Sequence, residues 1–456
     1  MRIIKYFFIY TTTLLLTGSC KKLVTVDPPK NRLVTQSVFT SDAGATSAIA
    51  GLYSDIMQTT NGFASGALTL YAGLSSDELK DYSNTEQAEF YSNSLQSANG
   101  LNLRFWAEGY NRIYAANSII EGLQNSSGMS NAVKLQLEGE AKFVRALCHF
   151  ILVNIYGDVP LVLSTSYQNN SVIRRSAVAN VYNQIILDLT DAQSMLSIDY
   201  SFSNGERIRP NKWAATALLA RVYLYKGDWV DAEAQSSTVI GNTSMYSLVG
   251  NLNSVFLKNS IESIWQLMPV RTDVNTSEGE AFILTGPPDN VALAPPFLTS
   301  FEKNDNRQSS WIDSLVFGGN TYYYPFKYKI KTSSSLAEYY TVFRLAEQYL
   351  IRAEARAEQN NLSGCISDLN IIRNRAGLAN LPANLSQSQC LLATEQERKV
   401  EMFCEWGHRW FDLKRTNRAT AILGVVKVGW QATDALYPIP QTEILNNPMI
   451  SQNPGY

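Results

Sequence analysis

The side chains that most often carry acid–base or nucleophilic catalysis are scarce in this chain. Its 456 residues include two histidines, His149 and His408. His149 lies within an apolar run, and His408 stands next to Arg409, Trp410 and Phe411. Neither is placed as the general base that a nucleophile–histidine–acid triad requires. The sequence also lacks a phosphate-binding P-loop, a dinucleotide fingerprint and a His-Glu-x-x-His motif. We therefore expect no catalytic residues, no metal site and no cofactor.

Paired carboxylates are the remaining catalytic candidates, because glycoside hydrolysis uses two of them about 5–10 Å apart in a cleft. Asp77 with Glu78, and Glu278 with Glu280, are close in sequence. A chain with 40 acidic residues offers such pairs by chance. These pairs do not change the expectation that the protein is not an enzyme.

The N-terminal sequence has the order of a secretory signal. Arg2 and Lys5 precede an apolar stretch at residues 6–16, which is shorter than the ~20 residues of a membrane-spanning helix. Small residues then lead to Cys20 in an arrangement that resembles a bacterial lipobox, although Thr17 takes the place usually held by leucine. An ordinary signal peptide followed by an unrelated cysteine is the alternative.

The lipobox interpretation predicts a lipoprotein signal peptide at residues 1–19, lipid attachment at Cys20 and a polar tether at residues 20–34. Each buried acyl methylene contributes about 0.8 kcal/mol, so two or three chains hold a protein firmly on a membrane. No later segment is long and apolar enough to span a bilayer. We expect contact with the membrane through the lipid anchor only.

Charge and cysteine content argue against two kinds of binding site, one for nucleic acid and one for a metal ion held by cysteines. The net charge is −2 and charged residues make up 17% of the chain, so the basic excess typical of a nucleic-acid-binding surface is missing. Cys148, Cys365, Cys390 and Cys404 lack metal-ligand spacing. Exported proteins can form disulfides, and the sequence leaves open whether any of these cysteines pair.

Paired helices dominate the periodic segments. Residues 211–240 place Ala220 before a Gly-Asp-Trp turn and Ala232 after it, a spacing that resembles a tetratricopeptide repeat. Residues 344–377 repeat the pattern, with Ala353 and Cys365 at the matching small positions. Residues 140–156 with 178–196 form a third predicted pair, and residues 103–123 form one helix of a fourth.

Loop-rich segments separate these pairs, at residues 57–100 and 241–335. Residues 321–331 alternate with period two, which predicts a short strand with Tyr322 and Tyr324 in the core and Tyr323 outside. The predicted fold class is mainly α: tetratricopeptide-like helical repeats form a scaffold that carries long loop-rich insertions and a few short β-strands.

Four ordered motifs resemble the SusD/RagB family. They lie at residues 137–161 (with the turn Tyr-Gly-Asp-Val-Pro), 342–378, 397–415 (Glu-Trp-Gly-His-Arg-Trp-Phe-Asp-Leu within it) and at the end of the chain, 437–456. The resemblance covers nearly the whole predicted mature chain. It implies a single body at residues 35–456, with an N-terminal SusD-like part at about 35–240 and a C-terminal RagB/SusD part at about 241–456.

The resemblance also implies a function. Members of this family are outward-facing lipoproteins of the outer membrane that bind oligosaccharides or polysaccharide fragments and deliver them to a SusC-like TonB-dependent transporter. A RagB-like receptor for peptides, with the same kind of partner, is one alternative. A repeat scaffold that binds another protein is the other.

In the family, ligand-binding aromatic residues lie on loops inserted between the helical repeats. The loops that resemble them here are residues 77–100 and 269–312. Sugar rings lie on aromatic faces while their hydroxyl groups need polar partners. The candidate platforms are Tyr82, Phe90, Tyr91 and Trp311, and the candidate hydrogen-bonding residues are Asp77 and Arg271; Tyr323 is a weaker candidate.

The acidic residues of the third motif have a structural interpretation. Glu397, Glu401 and Glu405 are spaced four apart on one predicted helix face, where they can pair with Arg373 or Arg375. We expect a partly buried ion network that fixes helix packing. His408, beside them, is expected to be a packed and hydrogen-bonded core residue.

Overall fold

The computed structural model describes residues 38–58 and 61–456. The predicted signal peptide (1–19), the lipid attachment at Cys20 and the tether (20–34) lie outside the described residues. Among the residues that are described, no helix has the length and apolar character needed to cross a membrane.

Helices form most of the described chain. In chain order they are α1 Asp42–Gln58, α2 Ala67–Ser75, α3 Ala88–Ser92, α4 Gly100–Gln124, α5 Asn131–Tyr156, α6 Tyr167–Asn170, α7 Val178–Met195, α8 Lys212–Lys226, α9 Trp229–Ile240, α10 Ser277–Phe282, α11 Asn306–Trp311, α12 Leu345–Glu358, α13 Leu362–Arg375, α14 Gln387–Glu401, α15 His408–Arg415, α16 Ala419–Val426 and α17 Gln441–Asn446.

Small side chains let the helix pairs pack closely, as the repeat pattern predicts. Ala220 in α8 and Ala232 in α9 share one buried cluster with Ala355 in α12, so the first pair packs directly against the second. Ala353 and Cys365 are buried together where α12 meets α13. The predicted pairing of residues 140–156 with 178–196 is also confirmed, since α5 packs along α7, and α4 packs against α5 as well. The predicted mainly helical fold class is confirmed.

Local sequence signals set the ends of these helices. The Asn211 side chain accepts hydrogen bonds from the N–H groups of Trp213 and Ala214, which caps the start of α8. Gly227 ends the same helix with a φ of 76°, a conformation that glycine adopts without strain. Asn361 caps α13 by accepting from the N–H of Gly364.

Within residues 38–58 and 61–456 the strands are short and form four separate two-stranded antiparallel ladders: β1 with β5, β2 with β3, β4 with β8, and β6 with β7. Their bounds are β1 Leu79–Asp81, β2 Val159–Pro160, β3 Arg175–Ser176, β4 Ser263–Leu267, β5 Val291–Leu293, β6 Ile312–Phe317, β7 Asn320–Pro325 and β8 Tyr340–Arg344.

The strand predicted at residues 321–331 is confirmed only for its first half, which is β7. Beyond Pro325 the chain leaves the hairpin. The N–H of Phe326 bonds to the carbonyl of Trp311 at 2.7 Å, and Lys327 turns inward to reach Glu405 at 2.5 Å. The need to pair this buried lysine overrides the alternating pattern.

A buried ion network joins β8, α13 and α14 to the segments around α11 and β7. Among the described residues, the acidic and basic side chains that it encloses are equal in number: Glu262, Asp305, Glu397, Glu401 and Glu405 with Arg307, Lys327, Arg344, Arg373 and Arg375. The predicted pairing of Arg373 with Glu397 (2.7 Å) and of Arg375 with Glu401 is confirmed.

Arg344 pairs with three carboxylates of the network, as Arg307 does, and sequence reasoning identified neither arginine. The Arg344 guanidinium donates to Glu405 at 2.8 Å and to Glu401 at 2.5 Å, and it lies 3.2 Å from Glu262. Buried charges of this kind are tolerated only when each is paired and hydrogen-bonded. Removing one partner leaves the remaining charges buried without compensation.

Other buried polar residues differ in part from expectation. His408 is buried, as predicted, but its Nδ1 has no hydrogen-bond partner among the described residues. Burial, together with the nearby cations of which Arg221 is the first, lowers the pKa of His408 well below its ordinary value. Within the described chain, the cysteines at positions 148, 365, 390 and 404 are buried free thiols, so no disulfide joins them.

Replacing Glu401 with Gln should destabilise the fold strongly, because it leaves Arg307, Arg344 and Arg375 with an uncompensated buried charge. We expect the free energy of unfolding, measured in urea, to fall by about 3–5 kcal/mol. The matched control is Asp191→Asn, since Asp191 pairs with Lys142 but its side chain is 51% exposed; it should cost less than about 1 kcal/mol. Equal losses in the two variants would contradict a structural role for the network.

Candidate functional site

The β6–β7 hairpin presents two surfaces to its surroundings. Gly318 and Gly319 have φ values of 58° and 79°, which suits a tight hairpin turn with positive φ at both central positions. Residues opposite one another in an antiparallel pair share a face. Tyr322 lies opposite Leu315, and Tyr323 lies opposite Ser314. The two neighbouring tyrosines therefore belong to different faces.

On the first face, Tyr322 meets Tyr82 in what we call the aromatic ledge, formed by Lys80, Tyr82 and Tyr322. The two rings are in edge-to-face contact with centroids 5.9 Å apart. The Lys80 ammonium lies 5.0 Å from the centroid of the Tyr82 ring. All three side chains are half-buried, so the rings keep part of their surface open.

Backbone pairing and a small polar cluster hold Tyr82 in place. It follows β1 directly, and its N–H donates to the carbonyl of Asn290 at 2.8 Å, which extends the β1–β5 ladder. The Asp81 carboxylate accepts from the Ser83 hydroxyl at 2.7 Å and from the Gln87 amide at 2.9 Å. Gln87 also donates to the Asn290 side chain at 2.9 Å. The ledge is thus fixed before any ligand arrives, which reduces the entropy cost of binding.

The chemistry of the ledge suits an amphipathic ring. Aromatic faces contact the apolar C–H face of such a ligand, while convergent polar groups hold its hydroxyl groups. Lys80 offers a donor beside the Tyr82 ring. The Asp81 and Asn290 side chains next to Tyr82 are acceptors that already bind the Gln87 amide.

The prediction that Phe90 and Trp311 are ligand platforms is wrong, because both side chains lie in the core. Phe90 is 1% exposed and stacks on Tyr71 with ring centroids 4.4 Å apart. Trp311 is fully buried, its indole N–H donates to the Leu252 carbonyl at 3.0 Å, and the Lys327 ammonium lies 4.8 Å from its ring. Trp311 thus covers the ion network instead of facing a ligand.

The candidates Asp77 and Tyr91 both contact basic side chains of neighbouring segments. Asp77 accepts from Arg409 at 2.7 Å and from Lys399 at 2.9 Å; burial opposes its ionisation, but these cations outweigh it and hold the pKa of Asp77 below its ordinary value. The Lys427 ammonium lies 4.0 Å from the centroid of the Tyr91 ring and covers one side of it.

Arg271 forms a two-point ion pair with Glu280, at 2.6 and 2.9 Å, and both side chains stay partly exposed. Among the described residues, no hydrogen bond or ring contact connects Arg271 to the aromatic ledge. Of the predicted residues, only Tyr82 belongs to the ledge. A ligand role for Asp77, Tyr91 and Arg271 stays a prediction.

The carboxylate pairs considered for catalysis do not face a common cleft. Glu78 is buried, and burial, with the nearby Asp77 charge, raises its pKa to about 8. Burial likewise raises the pKa of Glu278 to about 7, while Glu280 is engaged by Arg271. In each pair one carboxyl group is enclosed by the core and the other is held by cations.

Sequence reasoning missed two members of the ledge. The alternating pattern placed Tyr322 in the core with Tyr324; Tyr324 is buried, but Tyr322 is not. Between Tyr324 and the Gly318–Gly319 turn, the hairpin extends away from the body, so both of its faces reach solvent near the turn. Lys80 was not identified because residues 57–100 were predicted to be loop-rich, whereas β1 places Lys80 beside the ring of Tyr82, two residues further along the chain.

Comparisons with known proteins agree with the motifs. Residues 34–224 match the family model described as starch-binding associating with outer membrane, and residues 294–456 match the SusD family model. The chain is 26% identical to SusD-like protein P2 of Formosa agariphila, over 99% of this chain and 100% of that protein. It is 26% identical to the starch-binding protein SusD of Bacteroides thetaiotaomicron over 33% of this chain and 28% of that protein.

Solved structures share the fold. A SusD superfamily protein from Bacteroides vulgatus matches with a TM-score of 0.82 and 22% identity, covering 91% of this chain and 99% of that one. A laminarin-binding SusD-like protein matches with a TM-score of 0.75 and 24% identity, covering 92% and 100%.

Proposed function

Because the chain belongs to the SusD/RagB family, we propose that it is a non-catalytic receptor that binds oligosaccharides at the cell surface through the aromatic ledge. The family description, starch-binding associating with outer membrane, supports a glycan as the ligand class. The laminarin-binding protein with the same fold supports it too.

The observation that carries the proposal is the contact between Tyr82 and Tyr322. Two ordered, half-exposed rings from separate ladders form a surface on which a sugar ring can lie. The Lys80 ammonium beside the Tyr82 ring supplies a hydrogen-bond donor, and the Asp81 and Asn290 side chains next to Tyr82 are joined through the Gln87 amide. A binding protein needs no more than this, whereas hydrolysis needs two carboxyl groups on either side of the bond to be broken.

Delivery to a transporter is the second part of the proposal. We infer that the partner is a SusC-like TonB-dependent transporter of the outer membrane, and that the protein is held beside it by a lipid on Cys20 and faces outward. The outer-membrane association of the family supports this location. The division of the body into parts at about 35–240 and 241–456 belongs to the same proposal.

Replacing Tyr82 with Ala should weaken glycan binding, because it removes one ring of the ledge. With laminarin and starch as probes, we expect the Kd of whichever glycan binds the wild type to rise about tenfold, as for the loss of one aromatic contact. Isothermal titration calorimetry measures the change. Tyr167→Ala is the matched control, since Tyr167 is 82% exposed in α6, and its Kd should equal that of the wild type.

Three outcomes of this titration would contradict the proposal. The first is an unchanged Kd for Tyr82→Ala, and the second is an equal loss in the Tyr167→Ala control. The third is an absence of binding to either glycan while a pool of short peptides binds the wild type, which would favour a RagB-like peptide receptor.

Replacing Cys20 with Ala should release the protein from the membrane fraction of cells, because no acyl chains can then be attached. The measurement is the share of the protein in the membrane pellet after lysis. Cys148→Ala is the control, since Cys148 is a buried free thiol, and this variant should stay in the pellet. Retention of the Cys20→Ala variant would refute the lipid anchor.

A further inference from the structure

The second face of the hairpin borders a pocket of about 480 Å³, which we call the hairpin pocket. It lies between the hairpin and the segment from Leu298 to Ser309. The residues that give it its chemistry are Asn304, Asn306, Gln308, Ser309, Ser314 and Tyr323. Its volume falls within the range of about 300–1,000 Å³ that is typical of small-ligand sites in proteins.

The lining of the hairpin pocket combines one aromatic face with many neutral polar groups. The Tyr323 side chain is 39% exposed, so its ring is open to a ligand. Side-chain amides supply both donors and acceptors, and hydroxyl groups supply more. Leu298 and Ile312 add apolar surface. This is the mixture that a sugar ring requires, with its C–H face and its hydroxyl rim.

The charged residues that line the hairpin pocket favour a neutral sugar over an acidic one. The charged residues that line the pocket are Asp305 and Asp313, and none of its lining residues is basic. Asp305 is engaged by Arg307 at 2.7 Å, and Asp313 accepts from the Tyr324 hydroxyl at 3.1 Å. Arg307 compensates the charge of Asp305, but among the described residues no basic side chain forms an ion pair with Asp313. A uronic acid or a sulfated sugar would therefore be repelled by Asp313, whereas a neutral sugar carries no charge to be repelled.

The walls of the pocket are anchored on both sides. Asp305 caps α11 and joins the buried ion network through Arg307. The N–H of Asn306 donates to the Ala376 carbonyl at 2.9 Å, which fixes the segment against the end of α13. The opposite wall is the continuous β6–β7 ladder. A pocket with fixed walls keeps its shape without a ligand, which favours binding.

We propose that the hairpin pocket is a second sugar subsite, specific for a neutral sugar unit that stacks on Tyr323. The inference rests on the proposed glycan-binding function and goes beyond it. Tyr322 and Tyr323 are consecutive in β7, so the ledge and the pocket are separated only by the thickness of the hairpin. A bent or branched neutral glycan can therefore contact both surfaces at once.

The test uses the full chain and a neutral polysaccharide, laminarin or starch, titrated by calorimetry. Tyr323→Ala should raise the Kd about three- to tenfold, as expected for the loss of one aromatic platform. Tyr323→Phe, which keeps the ring, should bind within about twofold of the wild type. Thr321→Ala is the matched control, because Thr321 is exposed on the same face of the hairpin but does not line the pocket.

A second variant guards against misfolding of Tyr323→Ala. Ser314 is exposed and lies opposite Tyr323, so Ser314→Trp fills the pocket from the other strand and should also weaken binding. If both variants bind like the wild type while Tyr82→Ala binds more weakly, the subsite is refuted and the proposed function stands. If none of the three weakens binding, the proposed function fails as well. Tighter binding of alginate than of laminarin and starch would refute the preference for neutral sugars.

Discussion

The buried ion network around Glu401 and Arg344 is the constraint on which the rest of the structure depends. Removing charges from water costs several kcal/mol for each ion, and this cost is offset only when every partner is in place. The partners come from segments far apart in sequence, including β8, α13, α14 and the turn before α11. The network therefore fixes where these segments lie relative to one another.

The network fixes the position of the β6–β7 hairpin, which carries part of the candidate site. Arg307 connects α11 to Glu397 and Glu401, and α11 runs directly into β6. Lys327, just beyond β7, is held by Glu405. Both ends of the β6–β7 hairpin are thus attached to the buried charges, while its tip extends from the body. A rigid base with exposed tyrosines on either face is suited to ligand binding.

Much of the scaffold could be predicted from sequence because its signals are local. Small residues at repeat spacing predicted the packing of α8, α9, α12 and α13, and the four-residue spacing of Glu397, Glu401 and Glu405 predicted a network. The partners Arg307 and Arg344 could not be predicted, since they lie 94 and 57 residues from Glu401. Aromatic residues in loops were harder still, because loop position does not determine burial: Tyr82 is half-exposed, whereas Phe90 and Trp311 are in the core.

The central claim is that a glycan lies on the aromatic ledge, and a crystal structure of the protein with a bound laminarin or starch oligosaccharide tests it most directly. The account predicts electron density for a sugar ring against Tyr82 and Tyr322, with its hydroxyl groups near Lys80, Asp81 or Asn290. Density for the oligosaccharide at a different surface, such as the groove between α8 and α14 near Trp229 and Leu392, with the ledge occupied only by water, would contradict it.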